Sequence, residues 1–277
     1  MKEELNVIVC QLTSTNLQSK NDAQIRNLFD NIQDPHNVDL ITLPENCFFM
    51  RMNEGETVEY LTLADPIFQF YKNYAKTYNL MIHFGATPLK IGDQKYNATI
   101  IIKPDGSIES PYQKIHLFDI HLEDRKPVRE SDAFQKGTKP RMIQYLGWNL
   151  GFSICYDLRF SELYLYYQLH GADLVLIPSA FLVETGKLHW EILNRARAIE
   201  GQYYVVSAAQ GGSHSETRKT YGHSIAIDPW GAVVAEQRDD SEPSIMRVQL
   251  QKSSIDRMRK QIPMKNHRRM KVEFSDS

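Results

Sequence analysis

The chain alternates between short apolar runs rich in β-branched residues and stretches with helical spacing. The apolar runs show little polar alternation, which is typical of strands that helices cover on at least one face. They occupy residues 5–12, 38–44, 80–87, 96–104, 149–156, 172–179, 203–210 and 223–231. This repeated change of pattern predicts an α/β layered fold.

Four stretches between these runs place apolar side chains on one helical face. They are residues 21–34, 64–79, 160–171 and 187–202. We expect the third helix to begin with Ser161 as its N-cap and to end at Gly171. Turn signals at 103–107 and 228–231 indicate hairpins, so the sheets are expected to be mixed. Because no linker or repeat interrupts the pattern, residues 1–277 are interpreted as one domain, with a C-terminal tail from about residue 255.

The composition and charge of the chain indicate which kinds of partner, such as nucleic acid or membrane, are expected. The 277 residues are 42% hydrophobic and carry a formal net charge of −2, which is ordinary for a globular protein and does not indicate nucleic-acid binding. A basic stretch at 257–271 is interpreted as solvated or packed on a partner subunit. The N-terminal apolar run is too short for a signal peptide or a membrane span, so a cytoplasmic protein is expected.

The cysteines and histidines do not indicate a metal or a disulfide framework. Cys10, Cys47 and Cys155 are few and widely spaced, and metal-ligand spacing is absent from the sequence. Glycine-rich phosphate loops are also absent, so we expect no metal and no organic cofactor. Cys10 and Cys47 are interpreted as structural thiols.

Three apolar runs lead into reactive side chains. Residues 40–45 end in Glu45, residues 110–119 contain Lys114, and residues 151–155 end in Cys155. Each has a plain alternative: an acid at a helix start, a surface lysine and a core thiol. Burying an acid, an amine and a thiol at strand ends costs free energy unless these groups interact with one another or with a substrate. Their joint occurrence therefore favours a catalytic site.

In this order the motifs resemble those of the carbon–nitrogen hydrolase family, the nitrilase superfamily. The matching segments are LPEN around Glu45, YQKIHLFD around Lys114, ICYDLRF around Cys155, GADLVLIPSAF, HWEILNRARAIE and YGHSIAIDPWG. The resemblance extends to about residue 270. It implies a four-layer αββα sandwich of two mixed β-sheets, and a homodimer or a higher homo-oligomer without nucleic acid or membrane partners.

The resemblance also implies catalytic roles. Cys155 matches the nucleophile, Glu45 the general base and Lys114 the group that stabilises the tetrahedral intermediate. Glu130, in VRESDAF, matches a second glutamate that positions the site; its alternative is an exposed loop acid. The backbone N–H of Tyr156 is expected to face the developing oxyanion.

The reaction inferred from these residues is amide hydrolysis through a cysteine thioester. A thiol needs a base to become the thiolate nucleophile, and Glu45 can accept that proton and later return it to the leaving group. A helix beginning near residue 157 is expected to place the positive end of its dipole near the reacting groups, where it would stabilise negative charge. A Cys–His hydrolase using His83, His116, His189 or His223 is the alternative, as is a non-catalytic binding or scaffold descendant of the family.

The substrate is inferred from the branch of the family. Residues 178–231 resemble the deaminated glutathione amidases, which release 2-oxoglutarate and cysteinylglycine from their substrate in metabolite repair. The alternative is an omega-amidase acting on 2-oxoglutaramate or another short dicarboxylic monoamide. Arg159, one turn beyond Cys155, is expected to bind a substrate carboxylate, or else to pair with Glu162. Three further residues are expected to line the pocket: Phe181 and Thr185, in the loop after PSAF, and Phe49. For Phe181, the alternative is that it simply packs in the core.

Overall fold

Two six-stranded mixed sheets form the centre of the structure, a computed structural model that describes residues 2–53, 55–121, 128–240, 242–270 and 272. The first sheet contains β1 (Glu4–Gln11), β2 (Leu40–Glu45), β3 (Met81–Ile91), β4 (Gln94–Ile102), β5 (Ile108–Glu109) and β16 (Ser244–Gln251), in the order β16-β1-β2-β3-β4-β5. The second contains β8 (Met142–Tyr145), β9 (Trp148–Phe152), β10 (Leu174–Leu176), β11 (Tyr204–Ser207), β14 (Ser224–Ile227) and β15 (Val233–Gln237), in the order β15-β14-β11-β10-β9-β8. The described residues thus confirm the mixed sheets.

Two small sheets and six helices complete the described structure. The small sheets pair β6 (Asp119–Ile120) with β7 (Val128–Arg129), and β12 (Gly211–Ser213) with β13 (Lys219–Tyr221). The helices are α1 (Gln18–Asp30), α2 (Phe68–Tyr78), α3 (Ser161–Leu169), α4 (Val183–Gly201), α5 (Lys252–Gln261) and α6 (Met264–His267). Short 3₁₀ turns cover Pro35–Asn37, Glu130–Asp132 and Cys155–Arg159.

Successive residues of β1 enter two different cores, which explains its unbroken apolar run. Val7 and Val9 point into a core shared with the second sheet, whereas Ile8 and Cys10 point into a core shared with α1 and α2. Side chains alternate between the two faces of a strand, so a strand covered on both faces has no polar side. The layers therefore run α1/α2, first sheet, second sheet, α3/α4, as the αββα prediction requires.

The two sheets approach closely at the end where the reactive residues lie. A Cβ on Gly85 of β3 would lie 2.1 Å from both the carbonyl oxygen of Leu43 and the Cβ of Pro178, which follows β10. Only glycine fits there, because contacts this short do not occur between real atoms. The carbonyl of Pro178 in turn accepts a hydrogen bond from the backbone N–H of Cys155 (2.9 Å).

The described part of the basic C-terminal stretch is anchored on its own chain through α5 and is largely exposed from residue 261 to residue 270. Ile255 and Met258 of α5 are buried. Arg259 pairs with Asp173 (3.3 Å), and Lys265 donates to the carbonyl of Leu169 (2.8 Å). The cationic side chains thus bind backbone and acidic groups of the second sheet and α3. No described helix is both long and apolar enough to cross a membrane.

The helix starts differ from the sequence predictions: α1 begins at Gln18 instead of residue 21, and α2 begins at Phe68 instead of residue 64. Phe160, extended with φ −104° and ψ 93°, is the N-cap of α3, so Ser161 is the first helical residue and α3 does not begin near residue 157. The helix α4 begins at Val183, four residues before the predicted start, and Thr185 therefore lies on a helix instead of in a loop. The positive end of α3 is thus separated from Cys155 by the 3₁₀ turn Cys155–Arg159.

Candidate active site

One cavity of about 520 Å³ brings the sequence-predicted site residues together. Its lining includes all nine of them: Glu45, Phe49, Lys114, Glu130, Cys155, Tyr156, Arg159, Phe181 and Thr185. The cavity lies at the end of both sheets where β2 and β9 finish. Convergence of polar groups in a mostly preformed cleft is the usual arrangement of a small-molecule site.

Glu45 is the last residue of β2, in the middle of the first sheet, and is 3% exposed. Its backbone carbonyl accepts a hydrogen bond from the side-chain amide of Gln210 (2.9 Å), which also donates to Ser14. The strand end is therefore fixed from the side of the second sheet, because Gln210 lies in the short segment between β11 and β12.

Lys114 reaches the site from an extended segment that runs beside β4. Its backbone N–H donates to the carbonyl of Asn97 (2.9 Å), and its carbonyl accepts from Gly137 (2.7 Å). The ammonium lies 2.8 Å from a carboxylate oxygen of Glu45 and 2.8 Å from one of Glu130. Since Lys114 is only 2% exposed, the two carboxylates replace the water that its charge has lost.

Cys155 stands at a sharp turn between β9 and the 3₁₀ segment that follows. Its φ of +49° lies in the left-handed region, which a non-glycine residue adopts only when its surroundings impose it. Asp157 imposes it here, since one carboxylate oxygen accepts the backbone N–H of Ile154 (2.9 Å) across the turn. The turn directs the thiol into the cavity instead of along the strand.

Asp157 also joins the thiol turn to the lysine segment. The fully buried carboxylate accepts hydrogen bonds from the hydroxyl of Tyr112 (2.7 Å) and from the backbone N–H of His116 (2.9 Å). His116 Nδ1 is a further partner at 2.7 Å, and its ring stacks on Phe160 at 3.6 Å between centroids. Tyr112 lies two residues before Lys114, and His116 lies two residues after it. Asp157 therefore fixes the position of the Cys155 turn relative to the segment that carries the ammonium.

Burial sets the protonation of the thiol. Desolvation raises the pKa of Cys155 well above its usual value, and the charge and hydrogen bond of Glu45 raise it further. The ammonium of Lys114 and a backbone hydrogen bond from Ala180 oppose this rise. The resting thiol is therefore protonated, with the carboxylate of Glu45 beside it as an acceptor for its proton.

The charge of Lys114 is preserved by its neighbours. Desolvation lowers its pKa, but the carboxylates of Glu130 and Glu45 outweigh that effect and hold the pKa well above its usual value. An ammonium is thus present beside the thiol throughout the physiological pH range.

Glu130 is saturated with donors, whereas Glu45 is not. The oxygens of Glu130 accept hydrogen bonds from Lys114, from the amide of Asn97 (2.8 Å) and from the backbone N–H of Phe118 (2.7 Å). Both Lys114 (2.8 Å) and Asn97 (2.9 Å) bind the same oxygen of Glu45, Oε1. Oε2 of Glu45 is therefore the oxygen left for the thiol.

The opposite wall is aromatic and cationic. The guanidinium of Arg159 lies 5.5 Å from the ring centroid of Phe181 and 5.9 Å from that of Tyr156, and its Nη1 donates to His189 Nδ1 (3.1 Å). Among the described residues Arg159 has no carboxylate partner, so the alternative pairing with Glu162 is not formed. Phe181 is 6% exposed and packs on Trp190 while also lining the cavity.

The four candidate histidines have partners other than the thiol. His83 pairs with Thr42, His116 with Asp157, His189 with Arg159 and His223 with Glu236. Burial lowers the pKa of His83 to about 3, so that ring is neutral. These pairings leave the carboxylate of Glu45 as the candidate base beside Cys155.

Two polar residues of the site were missed by sequence analysis. Asn97 lies inside a strand run and Asp157 lies two residues after the nucleophile, and both are buried. For Asn97, the only available signal in the sequence was a polar residue that interrupts an apolar strand. For Asp157, it was a charged residue close to a buried thiol. Among the described residues, no group of three or more His, Cys, Asp or Glu side chains is arranged to hold a metal ion.

Comparison with known proteins identifies the family. The carbon–nitrogen hydrolase family model matches residues 6–260. The chain belongs to the carbon–nitrogen hydrolase family. Its fold matches the crystal structure of yeast Nit3, of the nitrilase superfamily, with a TM-score of 0.78 and 27% identity over 95% of this chain and 96% of that one. Hydrolysis of a carbon–nitrogen amide bond is therefore its class of reaction.

Two curated relatives are similar over most of the chain. A Synechocystis protein named deaminated glutathione amidase is 35% identical over 87% of this chain and 93% of its own length. The Caenorhabditis elegans nitrilase and fragile histidine triad fusion protein NitFhit is 37% identical over 95% of this chain. The chain spans 60% of that fusion protein's length, and the TM-score to its crystal structure is 0.85.

Replacing Glu45 should lower the pKa of the thiol while abolishing turnover. In Glu45→Gln the negative charge that raises the Cys155 pKa is gone, and Lys114 still favours the thiolate. We expect iodoacetamide alkylation of Cys155, followed by peptide mapping against pH, to show a midpoint at lower pH than in the wild type. Glu162→Gln, an exposed acid on α3, is the control. An unchanged or higher midpoint would contradict the placement of Glu45 beside the thiol.

Proposed function

We propose that the protein is a thiol amidohydrolase that cleaves deaminated glutathione to 2-oxoglutarate and cysteinylglycine. The observation that carries the chemistry is the contact set of Lys114, Glu45 and Glu130 beside Cys155. The substrate is supported by the Synechocystis relative and by the cationic side chain of Arg159, which lines the cavity and can bind a substrate carboxylate.

Cys155 is proposed as the nucleophile. Its Sγ attacks the amide carbonyl carbon, and the thiol proton passes to Oε2 of Glu45. The carbonyl oxygen becomes an oxyanion, which the ammonium of Lys114 and the backbone N–H of Tyr156 stabilise. The C–N bond then breaks, and Glu45 returns the proton to the departing amine, leaving a thioester on Cys155.

Water completes the cycle by hydrolysing the thioester. Glu45 accepts a proton from the water as its oxygen attacks the thioester carbonyl, and the same Lys114 and Tyr156 groups stabilise the second oxyanion. The C–S bond breaks, the acid product leaves, and Cys155 recovers its proton from Glu45. Glu130 acts by holding Lys114, since its own oxygens are occupied by donors.

Arg159 is proposed to bind the carboxylate of the 2-oxo-acid end. The guanidinium is held flat by Phe181 and Tyr156 and fixed at one nitrogen by His189, so its remaining N–H groups are preorganised for a bidentate contact. Phe49, which is buried, and Thr185 on α4 complete the walls on either side.

Turnover of two substrates tests the substrate proposal. We expect 2-oxoglutarate to be released far faster from deaminated glutathione than from 2-oxoglutaramate, and Cys155→Ala to abolish both activities. Faster turnover of 2-oxoglutaramate would instead assign the protein as an omega-amidase with the same mechanism. If neither amide were cleaved by folded wild-type protein, the substrate proposal would be wrong.

Arg159→Met should separate substrate recognition from chemistry. Loss of a charge-assisted hydrogen-bond pair is worth about 1.5–3 kcal/mol, so KM for the anionic amide should rise about tenfold to a hundredfold. The rate with an uncharged short amide should be unchanged if that amide is a substrate. Arg26→Met, which removes a surface pair with Asp22, is the control. An unaltered KM would exclude Arg159 from carboxylate binding.

A homodimer is proposed as the assembly, consistent with the family resemblance. Six large apolar side chains are exposed on the outer face of α4 and around β15: Leu188, Ile192, Ile199, Trp230, Val233 and Val234. Leu188 and Ile192 are four residues apart and are 74% and 66% exposed. A contiguous apolar face of this kind is typical of an interface, and a two-fold axis would pair it with itself.

Charge on that face should dissociate the dimer. We expect light scattering to give a dimeric mass for the wild type and a monomeric mass for the double variant Leu188→Lys/Ile192→Lys. Leu17→Lys, at an exposed apolar position before α1, should remain dimeric. A monomeric wild type at micromolar concentration would overturn the proposal.

A further inference from the structure

Asn97 contacts each of the three charged residues of the site from one position on β4: two through its side chain and one through its backbone. Its side-chain Nδ2 donates to Glu45 Oε1 (2.9 Å) and to Glu130 Oε1 (2.8 Å). Its backbone carbonyl accepts the N–H of Lys114 (2.9 Å). Asn97 is 1% exposed, so these contacts are shielded from solvent.

The charge balance of the cluster explains why an amide is needed there. Two carboxylates, Glu45 and Glu130, share the single ammonium of Lys114, so one negative charge has no counter-ion when all three are ionised. Buried carboxylates this close repel each other unless donors satisfy them. An amide NH₂ carries two donors and no charge, so it can serve both carboxylates at once without altering the balance.

The orientation of this amide is determined by its partners. Reversing it would place Oδ1 against two carboxylates, so Nδ2 must face them. As a result Oδ1 is buried without a hydrogen-bond partner among the described residues. An unsatisfied buried acceptor costs about 1–3 kcal/mol, and such a group in a native structure calls for an explanation. The contact with both carboxylates supplies one.

The same contacts distinguish the two oxygens of the base. Asn97 and Lys114 both bind Oε1 of Glu45, one as a neutral donor and one as a cation. Two donors on one oxygen fix the rotation of the carboxylate and leave Oε2 available to accept a proton from Cys155. With Lys114 alone, the carboxylate could rotate and present either oxygen to the ammonium.

We propose that Asn97 is a positioning residue for the amidohydrolase reaction, fixing Glu45 so that Oε2 receives the thiol proton and keeping Glu130 beside Lys114. The inference rests on the proposed role of Glu45 as base, but not on the identity of the amide. It predicts that Asn97 acts on the chemical steps and leaves substrate binding almost unchanged.

Two replacements of similar size test this role against a matched control. Asn97→Leu removes both donors, and Asn97→Asp removes them while adding a third carboxylate. Thr99→Val is the control, because Thr99 lies two residues along the same strand, is fully buried and donates to the carbonyl of Gly85 (2.9 Å). It should lose stability through one buried hydrogen bond without touching the cluster.

We expect kcat of Asn97→Leu to fall about 100-fold with KM little changed, since a misplaced catalytic group costs about that factor. Asn97→Asp should fall further, because its added charge disfavours the thiolate. Thr99→Val should keep the wild-type kcat. A loss in Thr99→Val equal to that in Asn97→Leu, at a similar melting temperature, would assign the effect to strand packing and overturn the proposal.

Alkylation of Cys155 by iodoacetamide gives a second readout that needs no substrate. Its rate at neutral pH should rise in Asn97→Leu, because Glu45 is no longer fixed beside the thiol and raises its pKa less, and should fall in Asn97→Asp, because the added carboxylate disfavours the thiolate. The rate should be unchanged in Thr99→Val. Wild-type alkylation rates in both Asn97 variants would overturn the proposal. If deaminated glutathione is not turned over while the alkylation rates separate as expected, the substrate is wrong and the role of Asn97 stands.

Discussion

A buried ammonium between two carboxylates is the interaction on which the active site depends. Lys114 is almost fully buried and lies 2.8 Å from both Glu45 and Glu130. Removing Lys114 would leave two buried carboxylates without a counter-ion, and breaking a buried ion pair in this way costs about 3–5 kcal/mol. The arrangement also keeps a positive charge beside the thiol and an unoccupied carboxylate oxygen within its reach.

The αββα sandwich supplies this arrangement because it brings two sheets together at one end. Glu45 ends a strand of the first sheet, and Cys155 follows a strand of the second. Gly85 permits the close approach of the sheets, and Asp157 joins the thiol turn to the segment that carries Lys114. The proposed nucleophile and its proposed base are thus held by rigid elements from different sheets, which is what preorganised catalysis requires.

Much of the fold and the chemistry could be predicted from the sequence, for physical reasons. Strands covered on both faces leave unbroken apolar runs, and Glu45 and Cys155 are conspicuous because each ends such a run. Lys114 was identified instead by the resemblance of its segment, YQKIHLFD, to the family. Asn97 and Asp157 could not be assigned, because their partners lie 33–52 and 3–45 residues away and no local pattern marks those contacts. The early start of α4 was missed because Gly186 weakens helix propensity; it is needed there, since a Cβ would lie 2.4 Å from the ring of Tyr221.

The most direct test of the account is identification of the acyl-enzyme. Wild-type protein mixed with deaminated glutathione, quenched in acid within one turnover and digested, should carry a 2-oxoglutaryl thioester on the peptide that contains Cys155. The adduct should be absent from Cys155→Ala and should disappear as 2-oxoglutarate is released. Turnover without any adduct on Cys155, or with an adduct on another residue, would contradict nucleophilic catalysis by this thiol.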